Sequence, residues 1–289
     1  MLKQIVSKIP SHRKGLVYIS FTALLWSSSG LFIKLLQLDA FHISFYRSGI
    51  AALTVLVISV LRTKRFKFEA DILTGLSSVF FAGILIFFVL ATKMTTAANA
   101  IFLQFTAPIY LLVLEPIFLK TKFEKKNLLT ILVCIAGMIL FFFGRLEIGN
   151  IYGNIIAIVS GICFAFFTLI LRKKKSSKGN ENTLSTIIFG NALIAVISFF
   201  VIFPDFGLSS TEFIILLYMG IFQIGVSYVI FNEGVKYVSA TESMIIAMME
   251  AIFNPIWVFL GIGEKPSVFA IAGGGLILGA ILWRNLRRN

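Results

Sequence analysis

Charged side chains are scarce in this sequence of 289 residues, of which only 13 % are Asp, Glu, Lys or Arg. A soluble globular domain carries about 25 % charged residues, so this chain lacks the charge needed to cover a water-facing surface. Hydrophobic residues make up 58 % of the chain, and phenylalanine alone contributes 31 residues. The composition therefore excludes an ordinary soluble fold.

Side chains that catalyse reactions or bind metals are also few. The chain has two cysteines, Cys134 and Cys163, and both fall in apolar runs, so a structural disulfide is not expected. Of the two histidines, His12 lies in the N-terminal tail and His42 at the boundary of an apolar run. The sequence has no GxxxxGK[ST] loop, which excludes ATP hydrolysis by such a loop on this chain. We predict no catalytic residue, no metal site and no cofactor, and a protein that is not an enzyme.

Long apolar runs are what the sequence has instead. About 18 apolar residues suffice for a helix to cross the hydrocarbon core of a bilayer. Eight runs reach this length without a charge. Two more reach it if each is allowed one charged residue, Arg47 in the first and Glu250 in the second. They predict an all-α integral membrane protein with ten transmembrane helices, at 15–33, 41–61, 72–92, 94–114, 127–144, 148–171, 182–204, 213–232, 240–262 and 266–283.

The formal net charge of +13 would suit a nucleic-acid partner, but its distribution points to a membrane. If the N-terminus is cytoplasmic, 21 of the 26 Lys and Arg residues fall on the cytoplasmic side, which is the positive-inside pattern. The RKKKSSK segment at 172–178 is then a topology determinant. We predict a multi-pass protein of the bacterial cytoplasmic (inner) membrane, with both termini in the cytoplasm, a lipid bilayer around it and no nucleic acid as partner.

An internal repeat divides the chain into two halves. The polar segment KMTTAANAIF at 93–102 recurs 143 residues later as KYVSATESMI at 236–245, and the same offset aligns Ala136-Gly137 with Gly279-Ala280. Each copy has five predicted helices, an odd number, so the second copy enters the membrane from the opposite face. We predict two inverted five-helix repeats, residues 1–147 and 148–289.

The two polar segments form tight hairpins between predicted helices, and two interpretations of them stay open. In the structural one, a threonine of the first segment caps helix four, and Ser239 with Glu242 has the spacing of a capping box. In the functional one, inversion puts Lys93 outside and Lys236 inside. The two hairpins would then act as alternating gates.

Glu250 is the residue that most strongly suggests a site, because a charge at mid-membrane is costly. It lies about ten residues into helix nine, or roughly 15 Å deep at 1.5 Å per residue. Other polar or aromatic side chains are expected to border the same central cavity, although helix packing would also explain them. The predicted substrate-binding set is Trp26, Gln104, Gln223, Ser227, Glu250 and Asn254.

Three further features have structural interpretations. Arg47 lies close enough to the outer face to snorkel, or to serve as an intramolecular partner. Glu115 lies near the cytoplasmic end of helix four, where interfacial solvation explains it. The GxxxG of Gly275 and Gly279 favours close packing inside the monomer over a dimer seam. We expect a monomer or a weak homodimer.

The order of several motifs resembles the EamA-type members of the drug/metabolite transporter superfamily. These motifs are LLWSSSGLFIKLL in helix one, FYR at 45–47, the two hairpins, TAP at 106–108, MEA at 249–251 and GEKPS at 263–267. The resemblance implies a ten-helix fold of two inverted repeats around a central cavity. It also implies movement of amino acids, amines, nucleotide-related metabolites or drugs, often as export.

The resulting prediction is a secondary transporter that moves small metabolites, such as amino acids, amines or related compounds, by alternating access, with export as the expected direction. A proton is the candidate coupling ion, and facilitated diffusion is equally open. One alternative is an importer of a quaternary amine such as choline, which would use aromatic faces for cation–π contact. Another is a lipid-linked flippase or a non-transporting assembly subunit, and a lateral opening to lipid would favour the flippase.

Overall fold

The chain folds into helices joined by short connections. A computed structural model describes residues 11–63, 70–141, 143, 150–178, 184–253, 257 and 268–286, and these contain no strand. The helices are α1 (Ser11–Trp26), α2 (Ser29–Leu35), α3 (Ala40–Thr63), α4 (Ile72–Met94), α5 (Ala97–Gln104), α6 (Ala107–Leu119), α7 (Lys125–Phe141), α8 (Ile151–Lys178), α9 (Leu184–Ile202), α10 (Ser210–Tyr218), a π-helix (Met219–Val226), α11 (Ser227–Gly234), α12 (Ala240–Ala247) and α13 (Val268–Leu286). The all-α prediction is confirmed for this part of the chain.

Seven helical segments within the described residues are long and apolar enough to cross a membrane. They are Ser11–Leu35, Ala40–Arg62, Ile72–Met94, Asn99–Leu119, Ile151–Lys174, Leu184–Ile202 and Ser210–Gly234. The prediction of a membrane-embedded helical protein is therefore confirmed. Helices α7 and α13 occupy two more predicted spans, but their apolar parts are shorter, and the predicted span 240–262 lies partly outside the described residues. The count of ten helices stays a prediction.

Several spanning segments are broken in their middle. Pro108 cannot donate a backbone hydrogen bond, and the helix of the fourth span is interrupted at Phe105 and Thr106, just before it. The first span breaks at Ser27 and Ser28, whose hydroxyl groups donate to the carbonyls of the preceding turn. Broken helices expose polar backbone, which membrane proteins tolerate only where the backbone is buried in protein or lines a cavity. The breaks therefore point to the interior of the bundle.

A glycine sets how closely helices α7 and α13 approach each other. A Cβ added at Gly137 of α7 would lie 2.9 Å from Ile277 and 3.0 Å from the Gly273 oxygen of α13, so this contact requires glycine. At Gly275 and Gly279, by contrast, an added Cβ would meet no described atom within 4 Å. These two glycines line an apolar groove of about 530 Å³ between α7 and α13. No described residue packs closely on this GxxxG, so the expected close packing stays a prediction.

Candidate functional site

A small cavity lined by buried residues lies inside the helical bundle. Its volume is about 30 Å³, which is room for roughly one water molecule. Four charged or amide side chains line it, each at most 5 % exposed: Arg47 of α3, Gln104 of α5, Gln223 of the π-helix, and Glu250. They come from four segments that are far apart in sequence. A buried polar cavity between the helices of a membrane protein is the expected place for a solute site.

Aromatic rings form one wall of this cavity. The ring centroid of Trp26 lies 4.7 Å from that of Tyr228 and 5.5 Å from that of Phe164, and all three residues line the cavity. The indole Nε1 of Trp26 donates a hydrogen bond of 2.8 Å to the Ser227 hydroxyl, which donates in turn to the Gln223 carbonyl. Ser227 thus stands behind the wall and fixes the orientation of the indole ring.

Gln104 is held at the cavity by α8. Its Nε2 donates a hydrogen bond of 2.8 Å to the Ser160 hydroxyl, which donates to the carbonyl of Ile84 at 2.9 Å. Gly161 makes this approach possible, because a Cβ there would lie 2.7 Å from the backbone oxygen of Gln104. The last residue of α5 is therefore fixed where the fourth spanning segment breaks.

Gln223 reaches the cavity from the π-helix. Such widened turns are rare and frequently lie at functional sites. Gly220 brings the π-helix against α3, since an added Cβ would lie 2.6 Å from Ile50 and 2.9 Å from the Arg47 oxygen. The side-chain oxygen of Gln223 is buried and accepts no hydrogen bond from the residues that the structure describes. It is available to a donor inside the cavity.

The two charged residues of the cavity lie apart from each other. Glu250 is 4 % exposed and lies beside the side chain of Ser29 in α2. Arg47 is 1 % exposed, so the expectation that it snorkels to the membrane surface is wrong. Arg47 and Glu250 form no ion pair within the described part of the chain, and Tyr228 lies within electrostatic reach of both.

The structure brings together most of the side chains predicted for the site. Trp26, Gln104, Gln223 and Glu250 line one cavity, and Ser227 supports it, whereas Asn254 lies outside the described residues. Sequence reasoning left out Arg47, Ser29 and Tyr228. The charge of Arg47 within a spanning segment and the hydroxyl groups of the WSSSG motif were the available signals. The binding role of these side chains stays a prediction.

The first hairpin, residues 93–97, is held by two lysines and a helix cap. Lys93 Nζ donates to the Leu36 carbonyl at 2.7 Å, and Lys34 Nζ donates to the Thr95 carbonyl at 2.9 Å. Thr96 caps α5 by accepting from the Asn99 backbone at 3.0 Å. These bonds tie the hairpin to the end of α2.

The second hairpin, residues 235–240, is held by basic and acidic side chains. Arg172 Nη1 donates to the carbonyls of Val235 and Lys236, both at 2.7 Å, and Lys236 Nζ pairs with Glu233 at 2.6 Å. Ser239 caps α12 by accepting from the Glu242 backbone at 3.1 Å. The N-cap is therefore present in both hairpins, as the structural interpretation predicts.

Glu115 adds a second cap to α12 and corrects a prediction. Its carboxylate accepts from the backbone amides of Ala240 at 2.9 Å and Thr241 at 2.8 Å, and from the Thr241 hydroxyl at 2.5 Å. With 5 % exposure it is buried, so interfacial solvation does not explain it. A carboxylate at a helix N-terminus is stabilised by free amide groups and by the helix dipole.

Glu242 joins three further helices at the start of α12. It is fully buried, and its carboxylate accepts from Arg284 Nη1 of α13 and lies 2.9 Å from His12 Nε2 of α1. Arg284 also donates from Nε to Asn127 of α7 at 2.8 Å. The second hairpin is thus fixed by a buried ion pair. The described residues contain no group of three or more side chains that could hold a metal ion.

Comparison with known proteins gives one family and several full-length relatives. The model of the EamA-like transporter family matches residues 13–143 and again 151–286. An uncharacterized transporter of Archaeoglobus fulgidus is 26 % identical over 275 residues, covering 91 % of this chain and 94 % of the relative. Solute carrier family 35 member G1 of Mus musculus is 25 % identical over 300 residues, covering 97 % and 80 %. A protein of known crystal structure has a TM-score of 0.80 at 14 % identity, covering 94 % of this chain and 97 % of that one.

Proposed function

Because the chain belongs to the EamA-like transporter family, we propose that this membrane transporter moves small metabolites by alternating access around the buried cavity. The observation that carries the proposal is the cavity itself, which is polar, buried, and lined by side chains from both halves of the chain. We assign it to amino acids, amines or related compounds, with export as the direction. A buried cavity lined by charged and amide side chains favours a solute carrier over a lipid flippase.

The pattern of helix contacts supports two inverted repeats, residues 1–147 and 148–289. The contact of α4 with α8 has its counterpart in the contact of α11 with α1, and that of α5 with α8 in that of α12 with α1. The pairs α3–α9 and α7–α13 each join a helix to its own counterpart. A two-fold relation between the halves produces this set of contacts, and the double match of the family model agrees with it.

The two hairpins are the proposed gates, with Lys93 at one and Lys236 at the other. Both hairpins are tied to neighbouring helices by hydrogen bonds, which supports the inference that neither gate is open in this structure. Opening one hairpin at a time would expose the site to one side of the membrane and then to the other. This is the motion that alternating access requires.

Cysteine labelling in intact and inside-out vesicles tests the gates. In otherwise cysteine-free protein, Thr95→Cys should react with a membrane-impermeant maleimide from outside, and Ser239→Cys from inside. A mixture of the common amino acids should change both rates. Exposed controls on the two predicted faces, Ser209→Cys outside and Lys122→Cys inside, should not respond to it. If both hairpin cysteines react from one side only, the hairpins are not paired gates.

A quaternary amine remains a second candidate substrate. The rings of Trp26, Tyr228 and Phe164 beside the Glu250 carboxyl suit cation–π recognition of a choline-like cation. Arg47 in the same cavity opposes a plain cation, because like charges repel at short range in a low dielectric. Choline uptake into proteoliposomes, compared with uptake of an amino acid mixture, separates the two.

The proposal also covers the membrane in which the protein lies and the ion that drives transport. We place the protein in the bacterial cytoplasmic membrane with both termini in the cytoplasm, as a monomer or weak homodimer, on the distribution of Lys and Arg. A proton is the coupling ion to test first, since Glu250 is the carboxyl group of the cavity. An imposed pH gradient should then drive uptake in wild-type proteoliposomes and fail to do so with Glu250→Gln.

A further inference from the structure

Arg47 is a buried cation that the described residues leave incompletely paired. The guanidinium makes one hydrogen bond, from Nη2 to the carbonyl of Leu85 at 3.4 Å, which is longer than the usual range of about 2.7–3.2 Å. Its Nε donates to no described atom. At 1 % exposure, bulk water does not solvate it. Its position on α3 is fixed from behind by the close contact with Gly220.

A buried cation with so few hydrogen bonds destabilises the folded state. Buried charges in proteins are normally paired or fully hydrogen-bonded, because desolvation costs more than a single weak bond returns. Intramembrane ionisable residues that lack such partners mark substrate or ion pathways. Arg47 meets both conditions, because its N–H groups lack a full set of hydrogen-bond acceptors and its side chain lines the central cavity. A ligand that brings an anionic group into the cavity would complete its hydrogen bonds.

The other polar groups of the cavity are suited to bind a positively charged group. Glu250 is a buried carboxyl beside the Ser29 side chain, and the Gln223 oxygen is a buried acceptor with no described donor. Both suit an ammonium group, which donates three hydrogen bonds and accepts none. Since Arg47 and Glu250 line one cavity without pairing with each other, a ligand with both charges fits between them.

We propose that Arg47 is a substrate-binding residue that takes a carboxylate, so that the substrate is a zwitterion whose ammonium group lies at Glu250 and Gln223. The inference rests on the proposed transport function and narrows it from amines in general to amino-acid-like compounds. Guanidinium suits this role because its planar fork binds both oxygens of a carboxylate. The cavity of about 30 Å³ must widen to admit such a solute, which the movement of a hairpin would allow.

Thermal stabilisation of the purified full chain tests the substrate class. Each of the common amino acids is added first, because a ligand that binds the folded state raises the apparent unfolding temperature. The best stabiliser is then compared with its amide, which lacks the carboxylate, and with its deaminated acid, which lacks the ammonium group. The amino acid should bind at least about tenfold more tightly than either analogue, since each loses a charged hydrogen bond.

Variants assign the carboxylate to Arg47. Arg47→Gln should weaken binding of the amino acid by about 10- to 100-fold and leave the affinity for its amide unchanged. Glu250→Gln should show the converse, with the deaminated acid unaffected. Arg62→Gln is the matched control, because Arg62 lies on the same helix with its side chain 50 % exposed and should bind all three ligands as the wild type does. Arg47→Lys, which keeps the charge, serves if Arg47→Gln does not fold.

Three results would overturn the inference. They are an amide that stabilises the wild type as well as its amino acid, equal behaviour of Arg47→Gln and Arg62→Gln, and a panel in which no amino acid stabilises the protein. The third would also remove the expected response of the hairpin cysteines to amino acids, but none of the three changes the side of the membrane from which Thr95→Cys and Ser239→Cys react, and this sidedness tests the transporter proposal by itself. The two proposals therefore fail separately.

Discussion

Replacing Gly161 by alanine should disturb the central site through the backbone alone. Gly161 lies on α8 beside Ser160, where α8 crosses the end of α5. The new Cβ would lie 2.7 Å from the backbone oxygen of Gln104 and 3.3 Å from its carbonyl carbon. Both are backbone atoms, so no side-chain rotation relieves the overlap. Ordinary contact begins at 3.4 Å, so the two helices must separate by about 0.7 Å at this point.

The expected cost follows from this separation. Inserting a methyl group into a packed interface typically costs about 1–3 kcal/mol, and the low end is not expected where backbone blocks relaxation. Alanine regains up to about 1 kcal/mol over glycine in a helix, which offsets part of it. The shift should also stretch the bond from Gln104 Nε2 to Ser160, which is 2.8 Å in the wild type. A weaker fold and a weaker site are expected together.

The assay compares Gly161→Ala with Gly275→Ala in detergent by thermal unfolding and by binding of the best amino acid ligand. Gly275 is the matched control, since an added Cβ there meets no described atom within 4 Å and should be neutral or slightly stabilising. Gly161→Ala should unfold at a lower temperature and bind less tightly. Equal unfolding temperatures for the two variants would refute the packing of α8 against α5 described above.

Three other changes test separate parts of the molecule. Glu115→Gln should destabilise the start of α12 by about 1–2 kcal/mol, seen as faster labelling of a cysteine at the second hairpin, because the cap loses its charge. Arg284→Gln should cost about 3–5 kcal/mol by leaving Glu242 buried without its arginine, and the double replacement of both by methionine should recover most of the loss in thermal unfolding. A reporter fused after Lys178 should be cytoplasmic and one after Asp205 external, and the opposite result would sink the inverted topology.

The sequence predicted helices and shared helix faces well, because both depend on local periodicity. Seven spans and the placing of Trp26, Gln104, Gln223 and Glu250 at one cavity follow from it. How deeply a side chain is buried, and which residues it bonds to, were harder to predict. Arg47 counts as near the surface when α3 is considered alone, since α3 begins seven residues earlier, at Ala40. Its burial arises from the helices packed around it, and the sequence pattern of α3 gives no information on those helices.

Pairings between distant segments show the same limit. Glu115 lies near the end of the fourth span. Its bonding partners are nevertheless the amides of Ala240 and Thr241, which follow 125 and 126 residues later in the sequence. A hairpin motif predicts its own local cap, as at Ser239, because the donor and acceptor are three residues apart. It does not predict a cap supplied from another helix. Long-range polar contacts therefore had to come from the three-dimensional structure.

The two hairpins are related by the repeat but are held by different chemistry. At the first, the ammonium groups of Lys34 and Lys93 bind carbonyl oxygens, and Lys34 remains exposed, so each bond exchanges readily for one with water. At the second, the carboxylates of Glu115 and Glu242 are buried, and opening must separate Glu242 from Arg284. Breaking a buried ion pair costs more than breaking an exposed bond until water reaches both charges. If the hairpins are gates, the second is therefore the more firmly closed, and the two halves of the transport cycle differ in energy despite the proposed two-fold relation between the halves of the chain.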